Sequence, residues 1–585
     1  MRRSTSLARV GLSLAVASAL SCTQSDPATP TPPPPPCARH DPTRADPTPS
    51  PVTVVRVDPS APAPLQIAVQ ACAGLSNRAV GGSVYVQSNE REAAWITELA
   101  ITPTATVEAA EFLASCLQRF TACVRYDYAS QRALMPNVLT VGAALGAVPV
   151  DASLNVTCGS TAFDAVEAFR ERNTPALATR YVFDTFSERT TGLAMLNPGY
   201  DRDAMDQSAP PIRGDMRADL VDFVFSRRLF VSFLVNGCTP GNPERELFSA
   251  MVNAGRWPLP LAVYGYNSSW LVAGGYLYEA QTRCLDSRNM GAVASETTNL
   301  SFFSTRSPAI TESNVVTQNA REAITYDPSR TYVAFVVGDG DNIAYMLSTR
   351  REWFRQRLAA CASGAPCPSL TWSISPHLAQ VAPDVLRWYY DRSHETGRDY
   401  FALPPSGHLY AYPSSLSPAA QDRFVAATEA DACVLDLSGT VHWDWFGTWR
   451  DAESVFLPKY ARAGGTIRGV FPVNVPYLLP TFTWWAPDQF SEVLTGADGS
   501  RVALFRPRQW RGVNNDADVH FLSPARMAEE IGGYPRGTVT WVYLTSDGGL
   551  TLENSFLAVA AMLPAHVQLV STDTAARLAV AAAGD

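Results

Sequence analysis

The chain has 585 residues, of which 46% are hydrophobic, 10% aromatic and 17% charged, with a formal net charge of −9. That length exceeds what a single hydrophobic core organises, so three or four domains are expected. The acidic balance, with no basic block beyond the first few residues, argues against nucleic acid as a partner.

Arg2, Arg3 and Arg9 accompany a short apolar run from Val10 to Leu20, followed by Ala19-Leu20-Ser21-Cys22. Residues 1–22 read as a lipoprotein-type signal peptide, since the run is too short to span a bilayer. A lipid on Cys22 would be the chain's membrane attachment, on the bacterial outer membrane or cell surface; a plain secretory cut would leave it periplasmic or secreted. Residues 23–64 read as a Pro-rich tether, with TPPPPP at its centre, a composition that favours extended polyproline conformation. Ten cysteines follow Cys22, and an even count in an exported chain predicts disulfides. Cys116/Cys123 and Cys361/Cys367 are close enough to close local loops and are the expected pairs. None has CxxC spacing, so zinc is not expected.

Three small α/β domains are then expected, at 65–150, 151–220 and 221–322. LQIAVQA (65–71) and GGSVYVQ (81–87) read as strands, Val107 to Phe120 as a helix, and PNVLTVGAALGAVPVD (136–151) as another strand and turn. LFVSFLVNG and PLPLAVYGY are strand candidates of the third unit. The last region, 323–585, holds six of the seven histidines and ten of the thirteen tryptophans. Eight strands are predicted in it, at 331–337, 370–375, 400–403, 432–437, 467–473, 501–505, 538–544 and 566–571. Helical segments separate most of them, two with Ser-Pro start signals at Ser417-Pro418 and Ser523-Pro524. The fold class is therefore α/β and multidomain: small N-terminal α/β domains, then a C-terminal (β/α)8-like barrel.

The residues just after those strands form the candidate site, because parallel α/β folds do their chemistry at that edge. Asp339, Asp341 and Asn342 follow the first strand, and His377 the second. Ser406, His408, Tyr410 and Tyr412 follow the third. His442 and Asp444 follow the fourth, Asn474, Trp484 and Trp485 the fifth, and Asp547 the seventh. Carboxylates that bond hydroxyls, beside aromatic rings that stack on CH-rich faces, suit a carbohydrate cleft. Glycoside hydrolysis commonly uses two carboxylates, one protonated and one ionised. Asp339 and Asp341 are too close in sequence to flank one bond from opposite faces, so Asp341 is paired with Asp547. The competing structural role is a helix cap by Asp341 or Asn342 and a glycine turn ordered by Asp339. Tyr410 and Tyr412 alternate along an extended segment and should face opposite sides.

D-G-D-N is a fragment of a calcium loop, but Ala344 occupies the next ligand phase and no Glu closes it. His377, His408 and His442 could converge as a deacetylase metal site. Neither is the favoured reading, and no metal or organic cofactor is assigned. The favoured function is hydrolysis of a poly- or oligosaccharide substrate. The alternatives are a non-catalytic surface glycan-binding lipoprotein on a degenerate barrel and, behind it, the deacetylase.

The segment SGHLYAYP (406–413) resembles the GxGYxYP motif that names a family of glycoside hydrolases. Gly407, Tyr410, Tyr412 and Pro413 match, and Leu409 replaces the second glycine. The Gly338–Asn342 loop, Ser375-Pro376-His377 and Asn77-Arg78 look similar to that family as well. The likeness runs from about residue 65 to the end. It implies small N-terminal domains ahead of a barrel-like catalytic domain, and a reaction class without a substrate. Leu409 argues against any role that needs bare backbone there, since Leu does not adopt positive φ as easily as Gly.

Overall fold

A computed structural model describes residues 51–199, 214–267, 277–473, 485–486, 488–513, 521–545 and 549–584. The chain is a mixed α/β, multidomain protein built almost wholly on parallel sheets. Strands β1 (Thr53–Arg56), β2 (Val84–Gln87) and β3 (Ala105–Glu108) form the first sheet in the order β2-β1-β3. The folded body thus begins inside the stretch read as tether, with Val52, Val54, Val55 and Val57 already buried. A β-branched run, TVVR, overrides the surrounding prolines.

LQIAVQA is not a strand. It lies in helix α1 (Ala63–Ala79), whose residues Ile67 to Asn77 are all buried. The helix is apolar all round because neighbours cover every face, and such a run cannot be told from a buried strand by periodicity. Its covers are the strand Val148–Asp151 and three helices, Ala109–Arg119, Val221–Arg227 and Leu300–Arg306. Asn77 closes it: its side chain bonds Ser83 N, Val84 N and O, and Ser301 Oγ.

Strands β4 (Ala122–Tyr126), β5 (Val148–Asp151) and β6 (Ser160–Asp164) form the second sheet, in the order β5-β4-β6. The segment before β5 is helical over Met135–Leu145, ending on Gly146 in the left-handed region. Strands β7 (Leu193–Met195), β8 (Phe230–Ser232), β9 (Leu261–Gly265) and β10 (Met290–Val293) form the third, in the order β10-β9-β7-β8. The expected boundaries at 150 and 220 therefore fall inside sheets. Parallel strands need long crossovers, so one sheet gathers strands from well over thirty residues of chain.

Four disulfides are described: Cys72–Cys116, Cys123–Cys158, Cys238–Cys284 and Cys361–Cys367. Cys433 is also disulfide-bonded. The expected Cys116–Cys123 pair does not form, because a helix and the strand after it carry the two thiols to different neighbours.

The C-terminal strands are β11 (Thr331–Val337), β12 (Leu370–Ser373), β13 (Asp399–Ala402), β14 (Gly439–His442) and β15 (Gly469–Pro472). They continue with β16 (Ser491–Thr495), β17 (Arg501–Phe505), β18 (Gln509–Trp510), β19 (Val539–Leu544) and β20 (Val567–Leu569). One sheet runs β13-β12-β11-β19-β18, with β20 beside the start of β11. The other runs β14-β15-β17-β16, and only its β16–β17 pair is antiparallel. A parallel bridge between Leu403 and Thr440 joins the two. All seven residues of β11 are buried, as a strand covered on both faces requires.

The strand expected at 432–437 is instead the end of helix α2 (Pro418–Val434) and the turn after it. Ser417 and Ser523 do precede helices with Pro at the start. No helix among the described residues is long and apolar enough to cross a membrane.

Candidate active site at the end of β11

Within the five residues 338–342 after β11 the chain must turn into the short helix Ile343–Met346. Gly340 passes so close to β12 that a Cβ there would meet the Ser373 carbonyl oxygen at 1.8 Å. Asp339 takes φ +60°, a conformation that Asp tolerates better than most side chains. Its backbone N–H donates to the Tyr543 hydroxyl at 2.9 Å, and its Oδ2 accepts from Arg350 Nη2 at 2.9 Å. Buried Arg350 also donates through Nε to the Gly338 carbonyl at 2.7 Å, so the guanidinium fixes the turn from beneath.

Asp341 sits half-buried two residues on. Burial, and then the neighbouring Asp339 charge, push its carboxyl up to about 7, against a weaker opposing pull from Arg350. Asn342 caps the helix, its Oδ1 accepting from Tyr345 N at 3.2 Å. One short loop thus holds an ion-paired carboxylate, a carboxyl that carries a proton near neutral pH, and the cap that aims both.

The loops after β12 and β13 interlock. Buried His377 lies with Nε2 2.8 Å from the His408 carbonyl, which makes that nitrogen the donor. Burial and the nearby His408 hold its pKa down to about 4, so the ring is neutral. For His408 burial opposes the charged form, but the Asp431 carboxylate, 2.7 Å from Nδ1, outweighs it and raises the pKa. Ser406 is fully buried; its Oγ accepts from Trp443 N and lies 2.9 Å from Ala411 O and 2.6 Å from Trp443 O. It is a clasp between loops.

Tyr410 and Tyr412 do not face opposite sides. Both rings bear on Trp443, at centroid distances of 5.2 and 5.8 Å, the second stacked within 8° of parallel. The segment bends at Ala411, so strand alternation does not apply. Tyr410 N and O pair with Ala292 O and N of β10, and Tyr412 N donates to Asp286. Leu409, at the motif's second glycine position, has no positive φ. Its side chain fills the space above Gly291 of β10, where an added Cβ would come within 2.6 Å of Leu409 Cβ.

His442 and Asp444 are both about 1% accessible, with Nε2 3.4 Å from Oδ2. The imidazole stacks on Trp449 and Phe456, and Asp444 accepts from Ser414 N and Oγ, Trp445 N and Thr448 Oγ1. Trp485 is buried. Asn474, Trp484 and Asp547 lie outside the described residues, the last with the Asp341–Asp547 separation. Asp436 precedes β14, on the edge away from the site, where its Oδ2 accepts from Gln318 N. His377, His408 and His442 each have a different partner. Among the described residues no three His, Cys, Asp or Glu side chains group as a metal ion would need.

Sequence reading missed the residues behind the β11 loop. Ile343 N donates to Ala294 O at 2.8 Å, which brings the loop after β10 alongside it. Between them lies a cavity of about 460 Å³ with Glu296 and Asp219 on its wall. Applying the strand-end rule to β10 as well would have found Glu296.

Parallel sheets with an acidic turn at a strand's C-terminal end define the class: a multidomain α/β protein. Residues 329–476 match the model of the family described as GxGYxYP putative glycoside hydrolase C-terminal domain. A crystal structure of a putative hydrolase from Bacteroides thetaiotaomicron shares the fold at a TM-score of 0.64 and 16% identity, over 90% of this chain and 94% of that one. A 4-alpha-glucanotransferase from Thermococcus litoralis overlaps at 0.27 and 14% identity, covering 42% of this chain and 40% of its own. A peptidoglycan deacetylase from Bacillus subtilis overlaps at 0.22 and 11%, covering 43% and 93%. Scores that low bear no weight. No curated protein matches the sequence.

Proposed function

We propose that this is an exported hydrolase that cleaves glycosidic bonds of a poly- or oligosaccharide, with Asp341 as proton donor. The observation that carries it is the carboxyl of Asp341, raised to about 7 by burial and by Asp339 at the end of a buried parallel strand. A group that holds a proton at neutral pH can deliver it to the departing sugar's oxygen. A second carboxylate on the opposite face then acts as nucleophile or activates water, and Asp547 is the candidate. Asp339 supplies the charge that keeps Asp341 protonated, and Arg350 holds Asp339 in place.

The strand order supports an irregular (β/α)8-type barrel as the frame. Following neighbours from β11 through β12, β13, the Leu403–Thr440 bridge, β14, β15 and β17, then from β18 through β19 back to β11, traces a ring with one seam. Export on a Cys22 lipid is part of the same reading, and mass spectrometry of the mature N-terminus tests it.

The decisive experiment is release of reducing ends from a panel of soluble polysaccharides by the wild type and by Asp341→Asn. A positioned general acid contributes on the order of 10²–10⁴ in rate, and a loss of that size is expected with the fold intact. Undiminished activity in Asp341→Asn would overturn the assignment. The glycan-binding alternative draws on the burial of Tyr410, Tyr412, His442 and Asp444, which leaves few groups from these loops for chemistry. It predicts binding without product, unaffected by Asp341→Asn.

A further inference from the structure

The cavity between the loops that follow β10 and β11 lies where the third sheet meets the C-terminal strands. At about 460 Å³ it is within the size range of small-molecule sites. Trp95 and Phe303, packed edge to face at 6.4 Å, are the apolar rings behind its mostly polar lining. Tyr345 stands on its rim, 38% exposed although aromatic. Glu296 and Asp219 face it, and so does Asn342, the residue after Asp341.

Local structure does not explain this wall in full. Glu92 also lines the cavity, but its oxygens are taken up by Ser88, Asn89 and Thr298 in capping the helix Glu90–Glu98. Asp219 is ion-paired to the exposed Arg217 at 2.6 Å. Glu296 accepts from Ser295 N at 3.1 Å and is also bonded by the backbone of Tyr266 and by its own amide, but no cation pairs with it among the described ion pairs. Burial and then its own loop's amides act on Glu296, with Asp219 adding repulsion, and the balance lifts its carboxyl to about 7. A half-buried carboxyl beside a second carboxylate, at the mouth of an open cavity, is costly to keep unless a ligand uses it.

Arg91 and Arg217 also line the cavity, Arg217 paired to Asp219, and the polar wall gives a lipid chain no purchase. A pyranose ring fits both halves of the lining, its hydroxyls toward the carboxyls and amide and its CH face toward a tyrosine ring. We propose that this cavity is a saccharide subsite, in which Tyr345 stacks on one sugar ring and Glu296 bonds its hydroxyls. Its place next to Asp341 rests on the glycoside-hydrolase reading. On that reading the N-terminal units supply one wall of the substrate path.

The test is isothermal titration of the full-length protein with cellotetraose, maltotetraose and chitotetraose. At least one is expected to bind, with affinity falling tenfold or more in Tyr345→Ala and in Glu296→Gln. Circular dichroism confirms folding; the exposed Tyr345 makes its variant the safer of the two. Failure of all three sugars to bind, or equal binding by the wild type and both variants, overturns the subsite. If binding and its loss stand while the wild type releases no product from any polysaccharide, the hydrolase reading fails and the subsite survives.

Discussion

At the level of single residues, burial and the neighbouring Asp339 charge set the pH demand of Asp341. Asp341 must be protonated to donate, so kcat/KM is expected to fall as pH rises through about 7. Removing the neighbouring charge in Asp339→Asn lowers the Asp341 pKa, and the alkaline limb moves to lower pH; a pH–rate profile of both proteins checks this. Stability follows the same proton. The folded-state pKa lies above the unfolded value, so the folded chain binds the extra proton and loses stability as pH rises from about 4 to about 7. Asp341→Asn should therefore stabilise at pH 8, by about 1–2 kcal/mol after allowance for solvent screening, and change nothing at pH 3. Thermal unfolding at the two pH values measures it. The acidic turn itself was legible in the sequence, because an apolar run opening into Gly-Asp-Gly-Asp-Asn has few other readings. The burial of His442 and Asp444 was not, since nothing local marks Trp449, Phe456 and Ser414 as their neighbours.

Among the secondary-structure elements, the motif loop and β10 form one unit. Leu409 occupies room that Gly291 leaves open, and Tyr410 pairs with Ala292. Gly291→Ala should cost about 1–3 kcal/mol, as overpacking does. Leu409→Gly restores the motif's glycine but empties a buried site, at about 2–5 kcal/mol. The double variant should lose less than the sum, because each change relieves the other; urea unfolding of the three proteins gives the coupling, and strict additivity would refute the contact. The C-terminal strands were readable because doubly covered parallel strands are continuous apolar runs. Helix α1 was misread for the same reason, since burial on every side erases its period. GTVH, which became β14, has too little apolar content to stand out. The strand-end rule reaches Glu296 itself, but the cavity does not show in sequence, because residues 219, 296 and 342 come together only through the tertiary fold.

At the scale of the whole molecule, the four disulfides described at both ends are unevenly placed. The N-terminal sheets hold bridges with sequence separations of 44, 35 and 46 residues, whereas Cys361–Cys367 closes a separation of 6. In the chain-entropy account the long loops are worth about 4 kcal/mol each and the short one about 2. Reduction should therefore loosen the N-terminal sheets first, and hydrogen exchange with and without reductant should show protection lost there before β11 and β19. The C-terminal strands meanwhile depend on those sheets. Trp95 donates to the Leu347 carbonyl at 2.8 Å, Glu98 takes Arg351 and Arg355, and β10 pairs with Tyr410. The Tyr410 bridge has a consequence for descent. The loop that carries the motif is braced by a strand more than a hundred residues earlier, so the C-terminal half cannot be shuffled onto a new partner without losing its brace. Lineages that carry this loop should carry the preceding sheet with it, and residues 291 and 409 should change together or not at all.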